Sequence, residues 1–316
     1  MEEAKRRHKN LQMLWLDYRK AYDSVPHSWI LECLRALKAH PSLCQFLEHS
    51  MLHWKTELTF AGTHFGTVDI NCGIFQGDSF SPLLFIVSLI PLSSLLRKST
   101  MGYKLSSGYI VNHLLYMDDL KLYSKSEEGI RSLLNTVSIF SEDIGMSFGV
   151  TKCAHIGMRR GTIYVCDGVV LPSGDVIRSL TYNETYKYLG VLESCDIDHK
   201  LVRQRVAAEY KRRLRLILSS QLSGNCKFKA INAFALPVIR YTAAIIHWPV
   251  NFLKALDRQT RKLLSLFRGL HPRSDVDRLY VPRKLGGRGL YSVEDVVCKE
   301  QCSLFHFVQQ SDDELQ

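Results

Sequence analysis

The chain has 316 residues, 46% of them hydrophobic and 23% charged, which allows one or two folded domains with a sizeable core and excludes a disordered or low-complexity protein. No early stretch joins a basic start to an unbroken apolar run and a cleavage site, and nine cysteines scattered without paired zinc spacing are expected to be reduced thiols of an intracellular protein, nuclear or cytoplasmic. The net charge of +10 is uneven: Lys200 to Arg288 holds 20 Lys and Arg against 4 Asp and Glu, an excess that either a solvated helix face or a polyphosphate partner would produce.

The apolar run Leu11 to Leu16, ending on Asp17, predicts a strand, and Pro26 predicts the start of a helix through Leu37. A second helix is expected from Ser42 to Trp54, then short strands at Glu57 to Ala61 and Thr67 to Asn71. The polar turn Gln76-Gly77-Asp78-Ser79 leads into a helix from Ser81 to Leu96, whose apolar run is short and interrupted by Pro82 and Pro91, so no membrane span is expected. Alternation through Tyr109 to Tyr116, the pair Asp118-Asp119, and Leu120 to Tyr123 predict a hairpin with carboxylates at its tip. Glu127 to Ile144 has the period of an amphipathic helix closed by Gly145. Strands are expected at Phe148 to Gly157, Ile163 to Leu171 and Lys187 to Leu192. From Asp196 the pattern changes to basic helices over Lys200 to Ser219, Lys227 to Ile246 and Phe252 to Phe267, which sets a domain boundary near Cys195 to Asp198. Arg283 to Gly289 reads as a basic, glycine-rich loop, and a last helix begins near Ser292.

The fold class is therefore α+β: a split βαβ, ferredoxin-like sheet followed by an all-α basic region. This order brings acidic residues to one strand end and one hairpin tip, where they could be neighbours. Two-metal phosphoryl transfer needs that arrangement, with carboxylates on adjacent strands holding two ions roughly 4 Å apart. Alone, an Asp-Asp pair in a turn is more often turn chemistry.

The surrounding wording changes the balance. Leu16-Asp17-Tyr18-Arg19-Lys20-Ala21-Tyr22-Asp23-Ser24-Val25-Pro26-His27 resembles the first catalytic motif of reverse transcriptases, and Tyr116-Met117-Asp118-Asp119 resembles their second. Between them, Gly73 through Phe85 is similar to the template- and nucleotide-binding motif. Gly145 through Lys152 and Tyr188-Leu189-Gly190 resemble the two motifs that follow, the latter the primer grip. The wording is nearest to retrotransposons that lack long terminal repeats.

The resemblance implies a right-hand polymerase: a palm over 1–196 with residual fingers elements over about 28–70, a helical thumb over 197–290, and a C-terminal helix and tail over 291–316. It implies an RNA-directed DNA polymerase using two magnesium ions, with manganese as a substitute, held by Asp17, Asp118, Asp119 and the carbonyl of Tyr18. Tyr22 matches the aromatic gate that excludes a 2′-hydroxyl, which disfavours RNA synthesis. Gln76, Gly77 and Met117 match positions beside nucleotide, template and primer end, and Lys152 one near the triphosphate. Arg203, Lys211, Arg212, Arg213, Arg215, Lys227 and Lys229 are the thumb candidates for contact with an RNA template and DNA primer duplex. The expected substrates are deoxynucleoside triphosphates, and no membrane is involved.

Family members also carry a fingers region before the first motif, where this sequence has sixteen residues with the basic cluster Lys5-Arg6-Arg7-His8-Lys9. Its loss would weaken nucleotide binding. Endonuclease and zinc-knuckle segments are not recognised either. Two readings stay open: a polymerase module, and a non-catalytic nucleic-acid-binding remnant. His49 and His53 share metal-binding spacing but have no third ligand, and read as ordinary helix histidines.

Overall fold

The computed structural model describes residues 1–194 and 197–311. Two compact units divide the chain, Met1–Asp196 and Ile197–Gln316. Cys195 and Asp196, near which the composition changes, and the tail 312–316 lie outside the described residues.

The first unit is built on a five-stranded antiparallel sheet in the order His113–Tyr116, Asp119–Ser124, Leu11–Leu16, Ala154–Arg159, Thr162–Tyr164. With the helices Ser81–Lys98 and Glu127–Asp143 between them, the first four strands in chain order make a β-α-β-β-α-β connection. Every residue of Leu11–Leu16 is buried because both faces of this central strand are covered. Leu14 and Leu16 join Leu120 and Leu122 beneath the helices. Leu11, Met13 and Trp15 join Ala154, Ile156 and Met158 on the opposite face.

The flanking helices follow from local chemistry. Glu127–Asp143 starts where the Ser126 hydroxyl accepts the Gly129 N–H at 3.2 Å, and it carries Glu127 and Glu128 in its positive first turn. Its buried stripe of Ile130, Leu133, Leu134, Val137 and Phe140 repeats at helical spacing. The Asp78 carboxylate accepts from the Phe80 N–H and the Ser81 hydroxyl at the head of Ser81–Lys98. That helix runs 18 residues, through Pro91, and by length and composition alone is long and apolar enough to cross a membrane. The helix expected over Ser81 to Leu96 is thus found with Pro91 inside it: proline removes one N–H but does not end the helix. Leu84, Phe85, Leu89, Leu92 and Leu96 are buried in the core of the first unit.

Other expectations shift. The strand expected from Phe148 begins at Ala154, because Val150–Lys152 forms a short helical turn. Ile163 to Leu171 is two strands, Thr162–Tyr164 and Val169–Val170, separated at Gly168, where φ is +89 and a Cβ would lie 2.3 Å from the Ile177 carbonyl oxygen. Short two-stranded ribbons are formed by Lys55–Phe60 with Thr63–Asp69 and by Tyr186–Tyr188 with Val191–Glu193.

The second unit is helical among its described residues. The helix expected over Lys227 to Ile246 is instead Gly224–Ala230, a wider π-helical turn at Ile231–Ala235, and Leu236–Thr242. Pro237, which has no N–H to donate into the preceding turn, accounts for the irregularity. The Tyr210 and Thr260 hydroxyls join His199–Ser219 to Val250–Leu266 at 2.8 Å. Buried Asp257 accepts the Val293 and Glu294 N–H groups at 2.8 and 3.2 Å, holding the first turn of Val293–Gln310.

Truncating Leu14 to alanine removes a fully buried side chain from the sheet and should cost about 2–5 kcal/mol in urea unfolding. Leu304→Ala, on an exposed stretch of the last helix, should change stability by no more than about 0.5 kcal/mol. Comparable losses at the two sites would contradict this placement of the core.

Candidate active site

Asp17 follows the central strand directly, and the next turn of chain is sewn to residues 147–153. The Asp17 carbonyl accepts the Gly149 N–H at 2.8 Å, its N–H reaches Cys153 Sγ at 3.4 Å, and the Arg19 N–H donates to the Ser147 carbonyl at 2.8 Å. None of these three bonds uses the Tyr18 carbonyl. The Tyr18 ring turns inward, stacked on Phe148 at 5.2 Å with its hydroxyl 2.9 Å from Ser141 Oγ; burial pushes that phenol up to about 12.

Asp118 and Asp119 stand where the hairpin turns. Tyr116 pairs with Asp119, so Met117 and Asp118 form the two-residue connection. Met117 sits at φ +53, a left-handed conformation that costs a non-glycine residue on the order of 1–3 kcal/mol. The neighbouring register pairs Leu16 with Leu120, so one further residue brings Asp17 beside Asp119. Opposed side chains in such a ladder have Cβ atoms roughly 4.5–5.5 Å apart.

The electrostatics agree with that adjacency. Burial raises the Asp119 carboxyl above its ordinary value, and the charges of Asp118 and then Asp17 raise it further. Burial and the Asp118 charge also raise the Tyr22 phenol. Asp17 Oδ2 is buried and accepts no hydrogen bond, although the Lys152 ammonium stands 3.3 Å away as an ion partner without hydrogen-bond alignment. The side chain of Lys152 is 71% exposed, so its amine is free to exchange this carboxylate for another anion.

Tyr22 stacks on buried Phe85 with centroids 4.8 Å apart and planes 10° from parallel. The Ile74 N–H donates to the Tyr22 carbonyl and the Gly73 N–H to the Val25 carbonyl, both at 2.8 Å. Gly73 has φ +87 and a Cβ there would lie 2.8 Å from the Asp23 carbonyl oxygen, so glycine is needed for the approach. Gln76 and Gly77 follow on an exposed turn. Leu189 and Gly190, at φ +46 and +77, form the turn between Tyr186–Tyr188 and Val191–Glu193.

In the second unit the seven basic candidates separate into two groups. Arg203 donates to the His247 carbonyl at 2.7 Å and covers Phe252; Lys227 donates to the Leu218 carbonyl at 2.7 Å. Arg212 and Arg213 share the Glu209 carboxylate, and Arg213 also donates to the Phe234 carbonyl. These four candidates are engaged by groups of their own unit. The side chains of Lys211, Arg215 and Lys229 have no hydrogen bond or ion pair among the described residues. His49 and His53 pack ring to ring at 4.5 Å, with His53 Nδ1 2.7 Å from the His49 carbonyl oxygen. Two contributors were not singled out from sequence: Cys153, which supports the Asp17 backbone, and Lys121, buried on the strand that begins with Asp119.

Among the described residues no three His, Cys, Asp or Glu side chains converge as a ready-made metal cage. The donor set nevertheless fits magnesium. It is all hard oxygen, one oxygen is buried without a hydrogen bond, and the three charges repel one another. Magnesium is ordinarily bound by one or two carboxylates together with water and substrate phosphates rather than by an all-protein cage.

The family described as reverse transcriptase (RNA-dependent DNA polymerase) matches residues 1–192. The Pol polyprotein of the type-1 retrotransposable element R2 of Popillia japonica is 25% identical over 94% of this chain and 49% of its own length. That of the type-2 element R2DM of Drosophila melanogaster is 24% identical over 88% of this chain and 26% of its own length. The chain thus spans about half or less of these relatives. Among solved structures, apo telomerase from Candida tropicalis aligns with a TM-score of 0.47 at 12% identity, over 97% of this chain and 52% of that one.

Asp119→Asn removes one of three mutually repelling charges and should raise the thermal midpoint in chelator. Added magnesium should raise the midpoint of the unsubstituted chain more than that of the variant. Equal magnesium shifts would remove Asp119 from the cation site.

Proposed function

The chain belongs to the reverse transcriptase family, on the branch of retrotransposons lacking long terminal repeats, and from that premise we propose that it is an RNA-directed DNA polymerase module acting at Asp17, Asp118 and Asp119. One observation carries the assignment to these residues: Asp17 and Asp119 come together in strand register beside Asp118, with a buried Asp17 oxygen that accepts no hydrogen bond and an Asp119 carboxyl raised by burial and by its two neighbours' charges. The first unit serves as palm, with residues about 28–70 as residual fingers elements, and the helical second unit as thumb. The partners are an RNA template paired with a DNA primer, and the substrates are deoxynucleoside triphosphates.

Bound divalent magnesium would lower the pKa of the primer 3′-hydroxyl and offset charge on the triphosphate and leaving pyrophosphate. The chain's own contribution is placement. Asp17, Asp118, Asp119 and the Tyr18 carbonyl would hold the ions, on a strand end and a turn fixed by the sheet. Tyr22, held flat by Phe85, lies under the incoming sugar and excludes a 2′-hydroxyl by contact. Lys152 neutralises Asp17 in the free protein and, from its exposed position, would face the pyrophosphate oxygens. Gln76, Gly77 and Met117 line the nucleotide and primer end. The Tyr188-Leu189-Gly190 turn supports the primer strand.

Primer extension on an RNA template with magnesium tests the reading. Asp118→Asn should lower the rate by about 10²–10³-fold or more, since an electrostatic group aimed at the transition state is removed. Tyr22→Ala should increase ribonucleotide use relative to deoxynucleotide use. Extension that survives Asp118→Asn would eliminate the site, whereas duplex binding without any extension would favour the non-catalytic remnant.

Duplex affinity should fall steeply with salt. Removing Lys211, Arg215 or Lys229, the candidates without internal partners, should each reduce the log–log slope by about 0.7–0.9 per lost phosphate contact. Arg203→Ala and Lys227→Ala should lower stability with less effect on that slope. A salt-insensitive affinity would count against the thumb assignment.

A further inference from the structure

The ribbon Tyr186–Tyr188 with Val191–Glu193 has three residues on each strand, too few for independent stability. It is held on the palm sheet by the rung next to the carboxylates. Trp15 and Lys121 are direct cross-strand partners, and Asp17 and Asp119 follow two residues along, on the same face of the ladder. The two rungs are about 6.5–7 Å apart along the strands.

Trp15 stacks on Tyr186 with centroids 5.0 Å apart and planes at 24°. Lys121 Nζ lies 2.5 Å from Glu193 Oε2, and 4.9, 5.0 and 5.4 Å from the ring centroids of Trp15, Tyr188 and Tyr123. Its side chain is 4% exposed and that of Glu193 is 14%. The ammonium therefore joins the strand of Asp119 to both ends of the ribbon: Tyr188, next to the turn, and Glu193, at the far end of the second strand.

Resting on the polymerase reading, we propose that Lys121 and Glu193 are positioning residues that lock the Leu189-Gly190 turn at a set distance from Asp17 and Asp119, and so fix where the primer 3′ end lies. A buried ion pair is a costly way to fill space, because desolvation offsets most of the attraction and an apolar pair of similar volume would serve as well. What the charge pair adds is a single register. Slipping the ribbon by one residue would turn Lys187 and Leu192 toward the sheet and take Tyr188 and Glu193 away from the ammonium. An apolar seat would tolerate small displacements that this one does not. Misplacing a reacting atom by about 1 Å costs on the order of 10²-fold in rate.

Two measurements on the full chain test the proposal, with Glu193→Gln, Lys121→Met and the double variant Lys121→Met, Glu193→Leu. Amide hydrogen exchange reads the seat whether or not the chain extends a primer. Ribbon amides in Tyr186–Glu193 should lose about ten-fold or more of their protection in Glu193→Gln, while Leu11–Leu16 and Asp119–Ser124 keep theirs. Unchanged ribbon protection overturns the lock.

Primer extension then separates position from folding. The double variant, apolar and matched in volume, should retain its unfolding midpoint and its nucleotide-free affinity for template–primer within about two-fold, yet lose about 10²-fold in kcat. A double variant extending at the unsubstituted rate overturns the positioning role. Failure of the polymerase reading is recognised separately, by extension that persists in Asp118→Asn.

Discussion

The antiparallel register between Leu11–Leu16 and Asp119–Ser124 is the constraint on which the first unit depends. It pairs Leu14 with Leu122 and Leu16 with Leu120 on the face covered by helices, and Trp15 with Lys121 on the other. Because side chains alternate, core and carboxylates cannot be adjusted independently. A slip of one residue would carry Leu120 and Leu122 to the wrong face and bury Lys121 and Asp119 under the helices. The apolar burial that stabilises the sheet thereby also specifies which carboxylates meet. The site inherits its precision from the core rather than from bonds of its own.

That inheritance matters because the local energetics oppose the site. Burial and the charges of Asp118 and Asp17 raise the Asp119 carboxyl, one Asp17 oxygen is buried without a hydrogen bond, and Met117 turns the hairpin in a conformation that disfavours a side chain. Such a cluster holds together only if its backbone has no alternative. Here the Asp17 backbone is bonded to Gly149 and Cys153, and the strands carrying Asp17 and Asp119 are central in the sheet. Lys152 partly neutralises the free state from an exposed position, so the relief it gives is reversible. Stability is spent at the carboxylates and recovered in the apolar layers on either side.

Much of this was legible in the sequence because it rests on short-range signals. A run of apolar residues ending in Asp17, an alternating hairpin with Asp118 at its turn, and the capped stripe of Glu127–Asp143 each declare themselves within a dozen residues or so. The neighbours of these elements did not. Val150 and Thr151 are β-branched and would suit an extension of the following strand, but the close approach of Gly149 to Asp17 bends Val150–Lys152 into a turn. Lys121 occupies a strand position where a lysine ordinarily faces water. Its burial depends on Glu193, Tyr188 and Trp15, which are distant in sequence and share no motif with it.

The basic second unit shows the limit of composition as a guide to binding. The charge excess locates a region, but each cation has a choice between solvent, a carbonyl at a helix end and a carboxylate one turn away. Arg203 and Lys227 take carbonyls, and Arg212 and Arg213 converge on Glu209, whose carboxyl is held down at about 2 by those two hydrogen-bonded guanidinium groups. A guanidinium already satisfied must give up one bond to make another, so it adds little to the free energy of holding a phosphate. Cations left over from folding are the ones whose counterions a polyanion can displace at no structural cost, and Lys211, Arg215 and Lys229 are in that position. Contact with nucleic acid is thus better read from the positive charges that the fold leaves unused than from their total.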